Sequence, residues 1–192
     1  MELDRIVCEA RACRVCEAHL PAEPRPVLRV AASARLLIIG QAPGRLVHES
    51  GIPWNDPSGQ RLREWLGLSP QVFYDTARVA ILPIGMCYRG TVNGADLPPR
   101  RECAPLWHPK IVPQLPRLQL TLLVGGYAQA FHLEARRKQS VTETVRAFRE
   151  YLPGQLPLPH PSWRNSGWLK RNPWFDLDLV PELRRQVQAA LR

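Results

Sequence analysis

Three stretches of this 192-residue sequence hold residue types able to act on a bound molecule. In HPSWRN, His160 can donate to an oxygen that becomes negative, and Ser162 and its backbone N–H can hold a phosphate. Trp163 and Arg164 of the same stretch can enter a nucleic-acid groove. GQAPG, from Gly40 through Gln41 and Ala42 to Gly44, reads as a tight turn whose N–H groups can face a ligand, with Pro43 fixing one φ angle. HESGIPWNDPSG sets Trp54, Asn55 and Asp56 in a polar loop, where the indole either caps the core or stacks a base. Lys170 and Arg171, in NSGWLKRNPW, suit contacts to a phosphate backbone.

The five cysteines form a second pattern. Cys13-x2-Cys16 is a ligand hairpin, and Cys87 and Cys103 have fifteen residues between them, so four thiolates from two chain segments can converge. Zinc and an iron–sulfur cluster both accept four thiolates, and the spacing does not choose between them. Cys8 is left over, with packing in the first helix as its expected role. An odd cysteine count speaks against a disulfide framework. The opening MELDRIVCEA lacks the pattern of an export signal, and no run of about 18 apolar residues exists, so a cytoplasmic protein without a membrane span is expected.

These loops need a scaffold. Arg35 to Ile39, Ala77 to Leu82 and Leu118 to Val124 are continuous apolar runs with the length of strands covered on both faces, and Gln155 to Leu158 adds a fourth. Helix-like segments occupy Gly59 to Leu66, Arg101 to Leu115, Gly126 to Leu133, Val141 to Tyr151 and Asp176 to Leu191. A short helix and a proline-rich arm precede them. Alternating strands and helices give a three-layer α/β domain whose crevice lies beyond the carboxyl ends of the strands. Twenty prolines exclude a coiled coil, and 26 Lys+Arg against 17 Asp+Glu, a net charge of +9, suit a polyanion such as nucleic acid.

GQAPG after an apolar strand, then Gly51-Ile52-Pro53-Trp54 with Ser58-Gly59 following, and His160-Pro161-Ser162 near the end together resemble the uracil-DNA glycosylase superfamily. The cysteine spacing is similar to that of its iron–sulfur branch, family 4. The resemblance implies one domain over residues 1–192, three layers α/β/α around a four-stranded parallel sheet, with 1–34 as a cluster-binding helix and arm. It implies a 4Fe-4S cluster on Cys13, Cys16, Cys87 and Cys103, with zinc as the alternative, and a monomer acting on DNA that contains a damaged base.

The implied activity is base excision repair by a monofunctional glycosylase: extrusion of a deaminated base, uracil foremost, and hydrolysis of its N-glycosidic bond. His160 would stabilise the negative O2 of the leaving base, and Trp54 matches the family's stacking phenylalanine. Backbone N–H groups of Gly40, Gln41 and Ala42 would bind the base's carbonyl edge. Ser162, Trp163, Arg164, Lys170 and Arg171, with Arg11 and Arg14 of the arm, would meet the DNA.

Two departures matter. Family 4 has Glu where this chain has Gln41, which orients water but takes no proton; Asp56, in a stretch similar to family 5, is the substitute for positioning the water or stabilising the cationic sugar. Pro83 stands where family 4 has its uracil-reading Asn, so Asn55, Asn93 or a backbone group replaces it, or the base is not uracil. The alternatives are a glycosylase for hypoxanthine or xanthine, an iron–sulfur DNA-binding or lesion-sensing protein without turnover, and a zinc-stabilised nucleotide hydrolase.

Overall fold

A computed structural model describes residues 2–192. In chain order the elements are α1 (Glu2–Arg11), β1 (Leu36–Ile39), α2 (Arg45–Ser50), α3 (Pro57–Leu66), α4 (Pro70–Phe73), β2 (Val79–Ile81), β3 (Thr91–Val92) and β4 (Ala95–Asp96). They continue as α5 (Cys103–Ile111), β5 (Leu120–Val124), α6 (Gly126–Leu133), α7 (Val141–Arg146), β6 (Gln155–Leu158), α8 (Ser166–Arg171) and α9 (Val180–Ala190). Among the described residues no helix is long and apolar enough to cross a membrane.

The central sheet has four parallel strands in the order β2-β1-β5-β6, in register Leu36 with Val79 and with Leu120, and Leu122 with Leu156. Its continuous apolar runs follow from burial on both faces. Leu36 and Ile38 of β1 point into one core with Leu62 and Trp65 of α3 and Leu183 and Val187 of α9. Leu37 and Ile39 point into the other, with Ile6 of α1, Trp107 and Ile111 of α5, and Leu133 of α6. This is the expected three-layer α/β/α arrangement. Because β1 lies between β2 and β5, the strand order reverses beside it, and the crevice opens at the ends of β1, β5 and β6.

Several boundaries depart from the sequence reading. Arg101 to Leu115 is α-helix only to Ile111, then a 3-10 turn over Val112–Gln114, and Val141 to Tyr151 breaks after Arg146 into a 3-10 turn over Phe148–Tyr151. The closing helix begins as a π-helical turn over Phe175–Leu179. Pro181, at its junction with α9, has no N–H to give to the carbonyl four residues back, so the ladder widens there. The short helices α2, α4 and α8 and the antiparallel hairpin β3–β4 carry too little hydrophobic periodicity to be read in advance.

Cys8 does not pack in the core. The buried face of α1 is Leu3, Ile6 and Ala10, and Cys8 projects from the opposite side, exposed.

Candidate active site

A recess at the carboxyl ends of the strands collects residues from separate segments, among them Gly40, Gln41 and Ala42 after β1, Trp54 and Asp56 before α3, Pro83 after β2, and His160 after β6. Its cavity volume is about 100 Å³, below the roughly 300–1,000 Å³ of drug-sized ligand sites, and the recess is partly open to solvent on the side of the mouth. Gln41, Trp54, Asp56 and His160, proposed from sequence, are thus brought together. The Gln41 and Ala42 N–H groups make no hydrogen bond to described residues, while the carbonyls of Gly40 and Gln41 accept from Ile84 and Gly85 at 2.9 Å each. The turn therefore presents donors to the recess and keeps its acceptors occupied.

His160 is held on several sides. The Ser162 N–H donates to its Nδ1 at 3.2 Å, Asn165 Nδ2 donates to its carbonyl at 2.7 Å, and its ring lies 5.7 Å from that of Trp54 at 35°. Burial pushes the imidazole pKa below its ordinary value, and the charge of Asp56 pulls it partly back up. Accepting at Nδ1 leaves the proton of the neutral ring on Nε2. Two residues outside the sequence reading set this geometry. Buried Gln129 of α6 donates through Nε2 to the carbonyl of Leu158 at 2.9 Å, and Arg61 of α3 donates to that of Ser162 at 3.1 Å.

Trp54 adopts φ 58°, a left-handed backbone that an L-residue holds only when its surroundings require it. Its carbonyl accepts from Arg63 and from the Tyr74 hydroxyl, each at 3.2 Å. Both flanking glycines are required. A Cβ on Gly40 would lie 2.6 Å from the indole Cζ2, and one on Gly59 would lie 1.8 Å from the Trp54 carbonyl oxygen. Asp56 is the N-cap of α3, its Oδ1 accepting from Gly59 N–H at 2.7 Å. The turn-forming and the functional reading of this aspartate coexist, since the residue also lines the recess.

An outer groove continues from the mouth, lined by Ser162, Trp163, Arg164, Leu46 and Asp96. Trp163 is 70% exposed, with Arg164 stacked over its ring at 5.5 Å. Arg164 also donates to the carbonyl of Gly94, tying the β3–β4 hairpin across the mouth. Lys170 and Arg171 are exposed on the last turn of α8 and line neither the recess nor the groove.

Two sequence candidates fall outside the recess. Asn55 is exposed in the turn before α3, and Asn93 is exposed at the hairpin tip with φ 50°. Neither replaces an amide at Pro83, whose own carbonyl is taken by His108 Nε2 at 3.1 Å. Asp96 of β4 lines the recess, and sequence reading missed it because a two-residue strand carries no signal.

The four cysteines Cys13, Cys16, Cys87 and Cys103 line a second recess, between the arm and the start of α5. Among the described residues no group of three or more His, Cys, Asp or Glu is arranged to hold a metal ion. Burial pushes the Cys87 thiol up to about 11 and that of Cys103 up to about 12. The Met86 N–H donates to Cys103 Sγ at 3.4 Å, and the Trp107 Nε1–H, in the wall of the same recess, is buried with no hydrogen-bond partner among the described residues. Arg14 of the arm pairs with Glu17 and Glu23 at the surface.

The family model of the uracil DNA glycosylase superfamily matches residues 29–184, a span that includes GQAPG, Trp54, Asp56 and His160 and begins after Cys13 and Cys16. A candidate uracil DNA glycosylase from Methanosarcina acetivorans, solved by NMR, is 12% identical over 82% of this chain and 93% of its own, with a TM-score of 0.46. The family match covers most of the chain, both loops that build the recess and all four strands of the sheet, and so the chain belongs to the uracil DNA glycosylase superfamily, whose members are DNA glycosylases.

Proposed function

We propose that the protein is a monofunctional DNA glycosylase of base excision repair that extrudes a deaminated base, uracil foremost, and hydrolyses its N-glycosidic bond with water. The observation that carries this reading is the neutral, Nε2-protonated His160 sharing one recess with Trp54 and Asp56.

The extruded base stacks on Trp54, and the Gln41 and Ala42 N–H groups donate to its carbonyl edge. As the C1′–N bond breaks, negative charge gathers on O2, where the His160 Nε2–H donates; preorganised donors of this kind are worth roughly 3–4 kcal/mol. Asp56 faces the cationic sugar, and water attacks C1′. Among the described residues no lysine lines the recess, which supports hydrolysis without a Schiff base. Trp163, exposed at the mouth, fills the gap in the stack, while Arg164 stays on the Gly94 carbonyl beside it.

Cys13, Cys16, Cys87 and Cys103 are the residues to hold a 4Fe-4S cluster. The four cysteines share one recess, and burial keeps the Cys87 and Cys103 thiols neutral unless a cation compensates, which supports a metal centre there; the choice of the cluster over zinc rests on the resemblance of the cysteine spacing to the iron–sulfur branch. When bound, it supplies a cross-link between the arm and the body of the domain.

The test uses duplexes carrying single U·G, U·A, hypoxanthine and xanthine lesions, with abasic sites revealed by alkali. Release from U·G is expected. No release from any of the four by iron-loaded protein would overturn the reading, and lesion-specific binding without release would favour the sensing alternative.

A further inference from the structure

The hairpin that sequence patterning missed brings a second carboxylate to the mouth of the recess. Asp96 borders both the recess that holds Trp54 and His160 and the outer groove that holds Trp163 and Arg164. Asp56, Ser58 and Ser162 share that rim. With a base in the recess and its backbone in the groove, the bond joining base to sugar passes across the rim. Asp56 and Asp96 then flank C1′.

The two carboxylates are not equivalent. Asp56 has Oδ1 committed to the cap of α3. Asp96 makes no side-chain hydrogen bond to described residues, and Arg164, Asp56 and, on the groove wall, Arg45 are the charged groups around it. Its backbone is fixed by pairing with Thr91, by the bond from Arg164 to the Gly94 carbonyl, and by Leu97 N–H donating to the Gly90 carbonyl at 2.9 Å. Gln41, in the position where the related family has a carboxylate, can orient a water but cannot take its proton.

We propose that Asp96 is the catalytic base, taking a proton from the attacking water while Asp56 remains the fixed negative charge beside the cationic sugar. The inference rests on the glycosylase reading above. The C1′–N bond breaks with its electron pair going to the base, and the water oxygen bonds to C1′. One water proton passes to Asp96 and from there, through solvent, to the departed base anion. The products are the free base and an abasic sugar, with Asp96 again a carboxylate. Asp96 is exposed at the rim, where partial desolvation and the neighbouring Asp56 hold its pKa above the ordinary aspartate value, against the pull of Arg164, which makes it a stronger base than a fully solvated aspartate.

Single-turnover release of the fastest-cleaved lesion by the full chain tests this. Asp96→Asn is expected to slow release about 10²-fold, with lesion-duplex affinity little changed, and to remove the acid limb of the pH–rate profile that Asp96 sets. Added formate should restore part of the rate of Asp96→Ala but not of Asp56→Asn. Gly154→Ala, remote from the recess and the groove, should keep the rate. Wild-type release with Asp96→Asn keeping both its rate and its acid limb, or Asp96→Ala unresponsive to formate, would overturn the assignment and leave the glycosylase reading intact. No wild-type release on any lesion would overturn both.

Discussion

The Ser162 amide donates to His160 Nδ1 at 3.2 Å, and that bond decides which imidazole nitrogen is the donor. Both residues lie in the same short loop after β6, and Arg61 of α3 holds the Ser162 carbonyl at 3.1 Å. The loop is therefore clamped to the helix that Asp56 caps, so the His160 donor and the Asp56 carboxylate share one rigid support.

Removing the donor should cost rate and spare binding. His160→Ala is expected to lower single-turnover base release by about 10²–10³-fold, roughly 3–4 kcal/mol, with duplex affinity nearly unchanged. Rapid-quench release measured beside a fluorescence binding titration separates the two quantities.

Gly59→Ala should unseat Trp54. The added Cβ would lie 1.8 Å from the Trp54 carbonyl oxygen and 2.8 Å from its Cβ, while the same glycine supplies the N–H that Asp56 caps. Loss of the cap and backbone displacement together are expected to cost at least ~2 kcal/mol of stability and to abolish activity. Gly154→Ala, at a position with nothing within 4 Å of the new Cβ, serves as the control and should leave the melting temperature within a few degrees.

Stability should fall with acid before the carboxylates titrate. His108 Nε2–H donates to the Pro83 carbonyl, so its Nδ1 accepts from His132 Nε2–H at 2.9 Å, and burial lowers both pKa values, that of His132 to about 4. An unfolded histidine binds its proton near pH 6.5, so between about 6.5 and about 4 the unfolded state holds more protons. The stabilisation is whole above that window and is lost as pH falls through it, to an extent on the order of 2–3 kcal/mol. Asp178, held below the ordinary aspartate value by Arg149, loses its share only at lower pH. Thermal melts from pH 7.5 to 4 should slope downward in this window, and His132→Phe should flatten the slope.

The cysteine recess makes a spectroscopic prediction. Alanine at Cys13, Cys16, Cys87 or Cys103 should abolish visible iron–sulfur absorption and lower bound iron, whereas Cys8→Ala, on the exposed face of α1, should change neither. Equal iron in all five variants would remove the cluster from the account.

Much of the fold was written in local pattern. Leu36–Ile39, Leu120–Val124 and Gln155–Leu158 are apolar runs that only burial on both faces explains, and the structure has all three as neighbouring parallel strands. Gln41, Trp54, Asp56 and His160 were legible because their residue types sit in loops that leave a strand or enter a helix. Asn55 and Asn93 misled because an amide in a polar loop carries no record of the side to which it points.

What the sequence determined by itself is the order of strands and helices and the chemistry available at their ends, since periodicity and turn chemistry act over a few neighbouring residues. Tertiary structure alone decided the rest. The reversal of strand order beside β1 sets Gln41 and His160, more than a hundred residues apart, around one recess. Arg164 reaching Gly94 brings Asp96 to its rim, and Ser162 fixes the proton of His160. These are relations of distance and hydrogen-bond direction, and they exist only after both cores have packed against the sheet.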